Sequence, residues 1–426
     1  MILYNLFPLL AGPFSRWKEH FVRAAAMNFD WVFINPIQQL GASRSLYSIA
    51  DYFRFNPALL DPQSKASPAE QVRQMTADAH AAGLKVMIDL VINHCAMDSP
   101  LTREHPDWFL HEPDGRIANS SCEHNGEKVI WKDLAQFDYQ HSRDQEGLYR
   151  YCLSVVEHLL AMGFGGFRCD AAYQVPRRFW HRLIGDVRGR HPETIFAAET
   201  LGCSADQTLE TARAGFDYVF NSSKWWNLSD PWLIEQYTLL RETTRSISFP
   251  ESHDTPRLLE EANGNVAALK QRYLFAAVFS AGVMMPIGFE YGFRKPLHVT
   301  DTKPADWEPV RVDISAFVSN ANAAKRGHRV LHEESCTSIL PCPNPNVLLM
   351  WKGSIRNKDE ALLILNKDTS RHQEFQAGNL RQYVQAGAPL RDVSPEHPLD
   401  YLHEPFHYAL RPGQGILLVT SRNGPH

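Results

Sequence analysis

The sequence predicts an α/β protein, a (β/α)8 TIM barrel with an inserted subdomain after its third strand and a C-terminal all-β domain. Eight short apolar runs alternate with helical patterns, and more than 50 residues separate the third run from the next helix. After about residue 335 the pattern changes to short strand-like runs. Strands that alternate with helices favour a parallel sheet, and eight strands close a barrel. A doubly wound open sheet is the alternative, because periodicity alone does not separate the two.

The predicted barrel strands are short runs that are rich in aliphatic residues. They lie at residues 2–7, 31–34, 85–90, 165–170, 194–199, 217–220, 246–250 and 283–287. Helical patterns fill the intervals between them. Ser67 and Glu70 form a capping box with a proline at the first helical position, and Gly83 ends that helix. Gly163 ends a second apolar helical stripe, and Pro176 opens a third helix.

The long connection and the C-terminal pattern divide the chain into three parts. A structureless loop of more than 50 residues would be unusual in a compact domain, so we interpret the connection as a subdomain near the active face. The C-terminal strands are predicted at residues 346–351, 360–365 and 415–420. The predicted parts are the barrel at 1–93 and 146–335, the inserted subdomain at 94–145, and a β-sandwich at 336–426.

Composition excludes two classes of protein. The chain has 426 residues, with 43 Lys and Arg against 48 Asp and Glu, which gives a net charge of −5 and no long basic run. This balance argues against nucleic-acid binding. No run approaches about 18 apolar residues, so we expect no membrane span. The N-terminus lacks the pattern of a signal peptide, and the seven cysteines lack metal-site spacing. We therefore expect a cytoplasmic protein with reduced thiols.

Carboxylates follow three of the predicted barrel strands, where a parallel barrel carries its reactive groups. Asp170, Glu199 and Asp254 end the fourth, fifth and seventh strands. Such convergence suits glycosyl transfer, in which one carboxylate attacks and another donates a proton. Arg168 shares a strand face with Asp170, so its guanidinium is expected to keep that carboxylate ionised. Without the other motifs, we would interpret the two residues as a structural ion pair. Cys169 points the other way, and we interpret it as a packed thiol.

Four short motifs contain these residues: Asp89-Leu-Val-Ile-Asn93-His94, Gly166-Phe-Arg168-Cys-Asp170, Ala198-Glu199 and Ser252-His253-Asp254. Their order and their intervals, 29 residues from Asp170 to Glu199 and 55 from Glu199 to Asp254, resemble glycoside hydrolase family 13, the alpha-amylase family. The resemblance covers nearly the whole chain and implies a retaining mechanism. It implies that Asp170 is the nucleophile, Glu199 the general acid/base, and Asp254 the carboxylate that stabilises the transition state.

The resemblance also implies which residues bind the sugar. His94 and His253 match positions that hydrogen-bond the sugar at the point of cleavage, and Tyr47 matches a tyrosine that stacks on its ring. Tyr173 and Gln174 stand where many amylases carry a Lys-His pair, so we expect a different subsite for the leaving group or acceptor. The predicted substrate-binding residues are Tyr47, His94, Arg168, Tyr173, Gln174 and His253.

Asn93 and Asp133 match positions that bind calcium in many family members. Calcium takes six or more oxygen ligands, and the sequence identifies only these two. The alternative is that Asn93 hydrogen-bonds the inserted subdomain to the barrel. The chemistry itself requires no cofactor. Outer sugar subsites and capping of the barrel are both open interpretations for Asn221, Trp225 and Trp226.

The resemblance implies an enzyme, an α-retaining glycoside hydrolase or transglycosylase that acts on α-1,4-glucans or maltooligosaccharides by double displacement. The alternative is an intracellular maltosyltransferase, which uses maltose 1-phosphate or a glucan, because residues 167–199 and 286–292 look similar to those enzymes. They usually carry Asn after the nucleophile and lack His94 and the His253-Asp254 pair. A second alternative is an inactive sugar-binding barrel, which the three filled carboxylate positions disfavour. The expected partner is a glucan, with no nucleic acid and no membrane, and the oligomeric state stays open.

Overall fold

The computed structural model describes residues 1–124, 127–354, 359–385 and 389–420. In chain order the strands are β1 (Ile2–Leu6), β2 (Trp31–Ile34), β3 (Gln38–Leu40), β4 (Ile49–Phe55), β5 (Lys85–Leu90), β6 (His94–Ala96), β7 (Asn119–His124), β8 (Glu127–Gln136), β9 (Gly166–Cys169), β10 (Ile195–Ala198), β11 (Tyr218–Phe220), β12 (Arg245–Ser248), β13 (Gly282–Pro286), β14 (Cys336–Leu340), β15 (Val347–Gly353), β16 (Glu360–Asn366), β17 (Gln373–Ala377), β18 (Leu390–Asp392), β19 (Phe406–Leu410) and β20 (Gly415–Thr420). The α-helices are α1 (Pro8–Ala11), α2 (Trp17–Ala26), α3 (Pro68–Ala81), α4 (Leu101–Glu104), α5 (Gln145–Ala161), α6 (Arg177–Arg190), α7 (Ala205–Ala212), α8 (Trp232–Leu240), α9 (Leu258–Glu261), α10 (Val266–Phe279) and α11 (Ser315–Gly327).

Eight parallel strands close into a barrel in the order β1-β13-β12-β11-β10-β9-β5-β2. This confirms the predicted (β/α)8 barrel, and the alternative of a doubly wound open sheet is wrong. Each of the eight predicted runs contains or overlaps one barrel strand. Where their bounds differ, they do so by one or two residues, because an apolar run does not show where the ladder of hydrogen bonds between strands begins and ends.

Strand alternation divides the barrel side chains between two apolar clusters. Leu3, Phe33, Met87 and Met284 belong to a cluster inside the barrel. Their strand neighbours, such as Tyr4 on β1, belong to a larger cluster between the strands and the helices. Because successive side chains of a strand point to opposite faces, both layers are packed, and the catalytic face lies where the strands end.

The helices begin and end where the capping signals predict. Ser67 and Glu70 hydrogen-bond each other's main-chain N–H groups at the start of α3. Gly83 and Gly163 have φ of +83° and +98° just after α3 and α5, a conformation that glycine adopts without a steric penalty. Pro176 is the N-cap residue of α6. Among the described residues, no helix combines the length and the hydrophobicity that crossing a membrane requires.

Strands β6, β7 and β8 lie within the residues predicted for the inserted subdomain. They form an antiparallel sheet in the order β6-β8-β7. Strand β8 is hydrogen-bonded to β6, which follows directly after the third barrel strand, so the sheet is joined to the rim of the barrel. This places one hairpin, β7–β8, beside the barrel mouth.

The C-terminal strands form two antiparallel sheets, β14-β15-β16-β20-β18 and β17-β19. Leu349, Leu362 and Phe375 belong to one apolar cluster that joins the two sheets. Leu363 and Leu417, on the other face of the larger sheet, belong to the cluster around the barrel. The strand-rich C-terminal part that the sequence predicts is therefore present, and it includes β14, β17, β18 and β19, which the sequence pattern did not reveal.

Candidate active site

A cavity of about 720 Å³ lies at the C-terminal ends of the barrel strands, beside the inserted hairpin. It collects residues that are far apart in the chain, because each follows a different strand. His253 does not line the cavity, but its Nε2 lies 2.6 Å from the hydroxyl of Tyr47, which does. The predicted site residues that line the cavity are Tyr47, Asn93, His94, Asp133, Arg168, Asp170, Tyr173, Gln174, Glu199 and Asp254.

Arg168 lies at the centre of the acidic groups. Its Nη1 donates hydrogen bonds to Asp170 Oδ1 at 2.7 Å and to Asp89 Oδ1 and Oδ2 at 2.9 and 3.0 Å. Its Nη2 lies 4.0 Å from Glu199 Oε2. Burial alone would lower the pKa of Arg168, but the surrounding acids, Asp89 first, raise it well above its usual range. A permanent positive charge therefore lies within hydrogen-bond distance of Asp170.

Asp89 is fully buried beneath Asp170, and its position in the first motif does not by itself predict a role for it. Its carboxylate accepts hydrogen bonds from Arg168 and, at 2.6 Å, from the Tyr47 hydroxyl. Burial raises the pKa of Asp89 to about 7, against the opposing effect of Arg168. Asp89 therefore orients Arg168 and Tyr47 from below the cavity without lining it.

Both oxygens of Glu199 accept hydrogen bonds from main-chain N–H groups. Ala171 N donates to Oε2 at 2.9 Å, and Leu201 N donates to Oε1 at 2.6 Å. Burial raises the pKa of Glu199 to about 7; Arg168 opposes this rise, and the negative charge of Asp170 adds to it. At neutral pH a large fraction of Glu199 therefore carries a proton, as a general acid requires.

Ala171, which directly follows Asp170, adopts a left-handed conformation with φ +40° and ψ +46°. This conformation is unfavourable for a residue with a Cβ, by about 1–2 kcal/mol. The turn lets the N–H of Ala171 reach Glu199 while Asp170 reaches Arg168. Strained backbone at this point is therefore part of how the two carboxylates are held.

Tyr47 connects the buried acid to the rim of the cavity. Its hydroxyl donates to Asp89, accepts from Asn35 Nδ2 at 3.0 Å and lies 2.6 Å from His253 Nε2. Because the single hydroxyl proton goes to Asp89, we assign the proton of His253 to Nε2. The same nitrogen lies 3.1 Å from Asp254 Oδ2, so His253 orients Asp254 as well. Burial lowers the pKa of His253.

The three predicted catalytic carboxylates differ in exposure. The side chains of Asp170 and Glu199 are 15% and 11% exposed, whereas that of Asp254 is 55% exposed. A bound sugar would therefore bury Asp254 more than the other two. His94 also lines the cavity; its Nε2 lies 3.1 Å from the carbonyl oxygen of Tyr47, and burial lowers its pKa.

Asn93, one of the two residues predicted for a calcium site, is linked through Gln174 to the inserted subdomain. Asn93 Nδ2 donates to Gln174 Oε1 at 3.4 Å, and Gln174 Nε2 donates to the carbonyl oxygen of Ser121 at 3.2 Å. Asn93 and Asp133 offer two oxygen ligands. The described part of the chain holds no group of three or more His, Cys, Asp or Glu that could bind a metal. Asn93 Oδ1 is buried without a hydrogen-bond partner among the described residues. Calcium needs six or more oxygen ligands, so its binding at Asn93 and Asp133 stays a prediction, and we derive no step through it.

The aromatic residues after β11 separate into two groups. Trp225 lines the cavity and is 53% exposed. Trp226 is buried, and its Nε1 donates to the carbonyl oxygen of Asp230. Asn221 is buried, and its Nδ2 lies within hydrogen-bond distance of the hydroxyl groups of Ser246, Ser248 and Ser280. Of these three residues, only Trp225 is placed to contact a ligand.

The structure adds lining residues that sequence reasoning missed. Trp131, Ser120 and Cys122 of the inserted hairpin line the cavity. The aromatic-rich composition of the insertion was the available signal, but no spacing identified these positions. Cys169, by contrast, is packed between the barrel and its helices, and burial raises the pKa of its thiol well above the usual range.

Comparison with known proteins gives a consistent set of relatives. Residues 2–111 match the family model described as "Glycogen debranching enzyme, glucanotransferase domain". Alpha-1,4-glucan:maltose-1-phosphate maltosyltransferase of Burkholderia pseudomallei is 27% identical over 377 residues, which are 85% of this chain and 32% of that protein. The enzyme with the same name from Arcanobacterium haemolyticum is 30% identical over 397 residues, 82% of this chain and 55% of its own length. The chain thus spans a third to just over half of these two relatives.

The fold has matches among solved structures. An alpha-amylase from Lactobacillus plantarum superposes with a TM-score of 0.77 at 20% sequence identity, and the match covers 99% of this chain and 98% of the other. At this identity the likeness concerns the fold. Together with the sequence relatives, it confirms that the chain resembles glycoside hydrolase family 13, the alpha-amylase family, with maltosyltransferases among its relatives.

Proposed function

We propose that this chain is an α-retaining glycoside hydrolase or transglycosylase that cleaves α-1,4-glucans or maltooligosaccharides by double displacement. One observation carries the proposal. A carboxylate paired with a buried arginine, Asp170, shares a cavity with a carboxyl group whose pKa is raised to about 7, Glu199. A retaining glycosidase needs such a pair, one member ionised and the other protonated.

In the first half-reaction, Asp170 attacks C1 of the glucosyl unit in the cavity. Glu199 donates its proton to the glycosidic oxygen, the C1–O bond breaks, and the shortened glucan leaves with that proton. Arg168 holds Asp170 in place, and the two main-chain N–H groups hold the carboxyl of Glu199. Asp254, oriented by His253, faces the positive charge that develops on the sugar ring.

In the second half-reaction, the ionised Glu199 removes a proton from water or from an acceptor hydroxyl. The oxygen then attacks C1, and the bond to Asp170 breaks, which returns both carboxyl groups to their starting states. Two inversions retain the α configuration. Hydrolysis and transfer therefore share one intermediate, and the occupancy of the acceptor side decides between them.

The charge of the cavity favours a neutral glucan over a phosphorylated donor. Among the described residues that line it, Asp133, Asp170, Glu199 and Asp254 are acidic, and Arg168 is the only Lys or Arg. That arginine is engaged by Asp89 and Asp170. A phosphate group in this cavity would meet net negative charge, which is unfavourable in a partly buried site.

A maltosyltransferase remains the second candidate, because the relatives in sequence are named for transfer from maltose 1-phosphate. Transfer from a glucan donor satisfies both that likeness and the acidic cavity. We propose no cofactor for the chemistry. A cytoplasmic location is part of the proposal, since all seven cysteines are free, as is typical of reducing compartments.

The test is a chromatographic product profile with maltoheptaose, run with and without maltose 1-phosphate, with Asp170→Asn as the inactive control. We expect shorter or longer maltooligosaccharides from the glucan alone, and none from Asp170→Asn. Phosphate release from maltose 1-phosphate, with no reaction of maltoheptaose alone, would establish the phosphate-dependent alternative. No product under either condition, from a folded protein, would favour an inactive sugar-binding barrel.

A further inference from the structure

We propose that the inserted hairpin β7–β8 forms the subsite for the acceptor glucan, with Trp131 as the stacking face and Ser120 as a hydrogen-bonding group. The inference rests on the proposed function and deepens it. An acceptor held there would compete with water for the glycosyl-enzyme, so the hairpin would direct the reaction towards transfer. The ligand class is a neutral α-glucan or maltooligosaccharide.

The acceptor enters the cavity on the side of Glu199. The general acid must reach the glycosidic oxygen, so the leaving group, and later the acceptor, lies on the side of Glu199. The turn after β9 lies there, because the Ala171 N–H donates to Glu199 Oε2 and Gln174 of the same turn donates to the carbonyl oxygen of Ser121 on β7 at 3.2 Å. Tyr173, Gln174 and Cys122 line the cavity. Cys122 belongs to β7, so the inserted hairpin forms part of the wall on the acceptor side.

One face of the hairpin is turned towards the cavity, and the acceptor would contact that face. Ser120 is directly paired with Trp131 across the two strands, and Cys122 is two residues further along β7. Directly paired residues of antiparallel strands share a face, as do residues two apart. All three line the cavity, so this face of the hairpin is turned towards the reacting groups. Ile130, the neighbour of Trp131, points to the opposite face.

The hairpin and the neighbouring Asn93 carry an exposed aromatic ring and buried polar atoms that have no partner among the described residues. Trp131 is 40% exposed, although large aromatic side chains are usually buried. Ser120 is 1% exposed, and its Oγ has no hydrogen-bond partner among the described residues; the same holds for Oδ1 of Asn93, which is 2% exposed. A buried polar atom without a partner is unfavourable, so a ligand hydroxyl at this wall would remove that penalty.

The cavity-facing side of the hairpin carries negative charge and no positive charge among its described residues. No Lys or Arg among the described residues of β7 and β8 lines the cavity, whereas Asp133 of β8 does. A phosphorylated acceptor would find no counter-charge there. An apolar ring face, a hydroxyl and an amide oxygen suit a sugar, which presents both C–H faces and hydroxyl groups.

The experiment compares single variants in a reaction of maltoheptaose with added maltotriose as acceptor. The measured quantity is the ratio of transfer products to hydrolysis products, together with the KM for maltotriose. Trp131→Ala and Ser120→Ala test the two proposed contacts, and Trp131→Phe keeps a flat aromatic face. Ile130→Ala is the matched control, because Ile130 is an exposed apolar residue of the same strand on the other face.

We expect Trp131→Ala to lower the ratio about tenfold, equivalent to about 1.4 kcal/mol, and Trp131→Phe to restore most of it. Ser120→Ala should raise the KM for maltotriose while the melting temperature stays the same or rises, since the protein loses no internal hydrogen bond. A structural role would instead lower the melting temperature. Ile130→Ala should behave as the wild type.

The inference is overturned if Trp131→Ala and Ser120→Ala give the same ratio and the same acceptor KM as Ile130→Ala. It is also overturned if the wild type cleaves maltoheptaose but makes no transfer product at any concentration of maltotriose. These outcomes leave the proposed function intact. A wild type that does not cleave maltoheptaose would contradict the proposed function itself.

Discussion

Glu199 meets two opposing influences on its proton. Burial and the charge of Asp170 favour the protonated form of Glu199, while the charge of Arg168 and the main-chain N–H groups that bond to Glu199 favour the ionised form. The result is a pKa of about 7, which lets the same group act first as an acid and then as a base. Asp170 lies only two residues from Arg168 and accepts a hydrogen bond from its Nη1. Arg168 of β9 thus lies next to the carboxyl groups that follow two neighbouring strands, β9 and β10.

The pH dependence of kcat/KM should report this arrangement. The first half-reaction needs a protonated Glu199, so we expect activity to fall as the pH rises through about 7. Protons lost from Asp89, whose pKa is also raised to about 7, belong to the same coupled system. The measurement is the pH profile with maltoheptaose and with α-maltosyl fluoride, whose leaving group needs little protonation.

The alkaline limb should be strong with maltoheptaose and weak with the fluoride. The variant Glu199→Gln should cleave maltoheptaose very slowly and show no alkaline limb with the fluoride. An equal alkaline limb for both substrates would mean that Glu199 is not the general acid and that another group, such as Asp89, controls the profile.

The residues that form the site could be predicted from the sequence, but the hydrogen bonds between them could not. The order of the motifs identified the carboxylates, because each follows a strand and strand ends converge in a parallel barrel. The role of Asp89 beneath Tyr47 and Arg168 depends on side-chain directions that no spacing encodes. Trp131 and Ser120 could not be predicted to line the same cavity as Glu199, because the path of a long insertion is set by tertiary packing.

At the scale of single elements, the local signals worked where backbone chemistry decides the outcome. The capping box at Ser67 and the left-handed glycines after α3 and α5 are present as predicted. The C-terminal strands β17 and β19 were missed, since half-exposed strands lack a continuous apolar run. Strands β6, β7 and β8 could not be predicted individually, because their polar residues match no single period.

Helix α3 offers a test of these local signals. Ser67 Oγ accepts from the Glu70 N–H, and Glu70 in turn accepts from the Ser67 N–H. Ser67→Ala should lower the free energy of unfolding by about 1 kcal/mol and leave kcat/KM unchanged, since neither residue lines the cavity. Urea denaturation measures the change. Ser67→Thr, which keeps the hydroxyl, is the control and should lose much less.

If Ser67→Ala and Ser67→Thr were equally stable, the cap would contribute nothing to the folded protein. A loss of activity in Ser67→Ala without a loss of stability would instead mean that α3 affects the site directly.

At the scale of the whole molecule, the C-terminal sheet shares its core with the barrel. Leu363 of β16 is fully buried in the cluster around the barrel, whereas its neighbour Leu362 faces the cluster between the two C-terminal sheets. Lys352 of β15 reaches the end of α10, where its Nζ donates to the carbonyl oxygen of Phe279 at 2.8 Å. A cation at a helix C-terminus is favourable, and here it ties the sheet to a barrel helix.

This packing predicts that barrel and C-terminal sheets unfold together. Leu363→Ala and Leu362→Ala should each lower the free energy of unfolding by about 2–5 kcal/mol, because both remove buried side chains. Each variant should unfold in one transition, at a lower urea concentration than the wild type. The measurement is urea denaturation followed by tryptophan fluorescence and by far-UV circular dichroism.

Coincident transitions in the wild type and in both variants would support one cooperative unit. Two separated transitions, with Leu362→Ala affecting only the first, would show that the C-terminal sheets unfold independently of the barrel.

The central claim is that Asp170 forms a covalent bond to the sugar. The most direct measurement is mass spectrometry of the protein after reaction with 5-fluoro-α-maltosyl fluoride, a substrate that forms the intermediate and slows its breakdown. The account predicts one added fluoromaltosyl group, carried by the peptide that contains Asp170 and absent from Asp170→Asn. Substrate turnover with no adduct, or an adduct on a different residue, would contradict it.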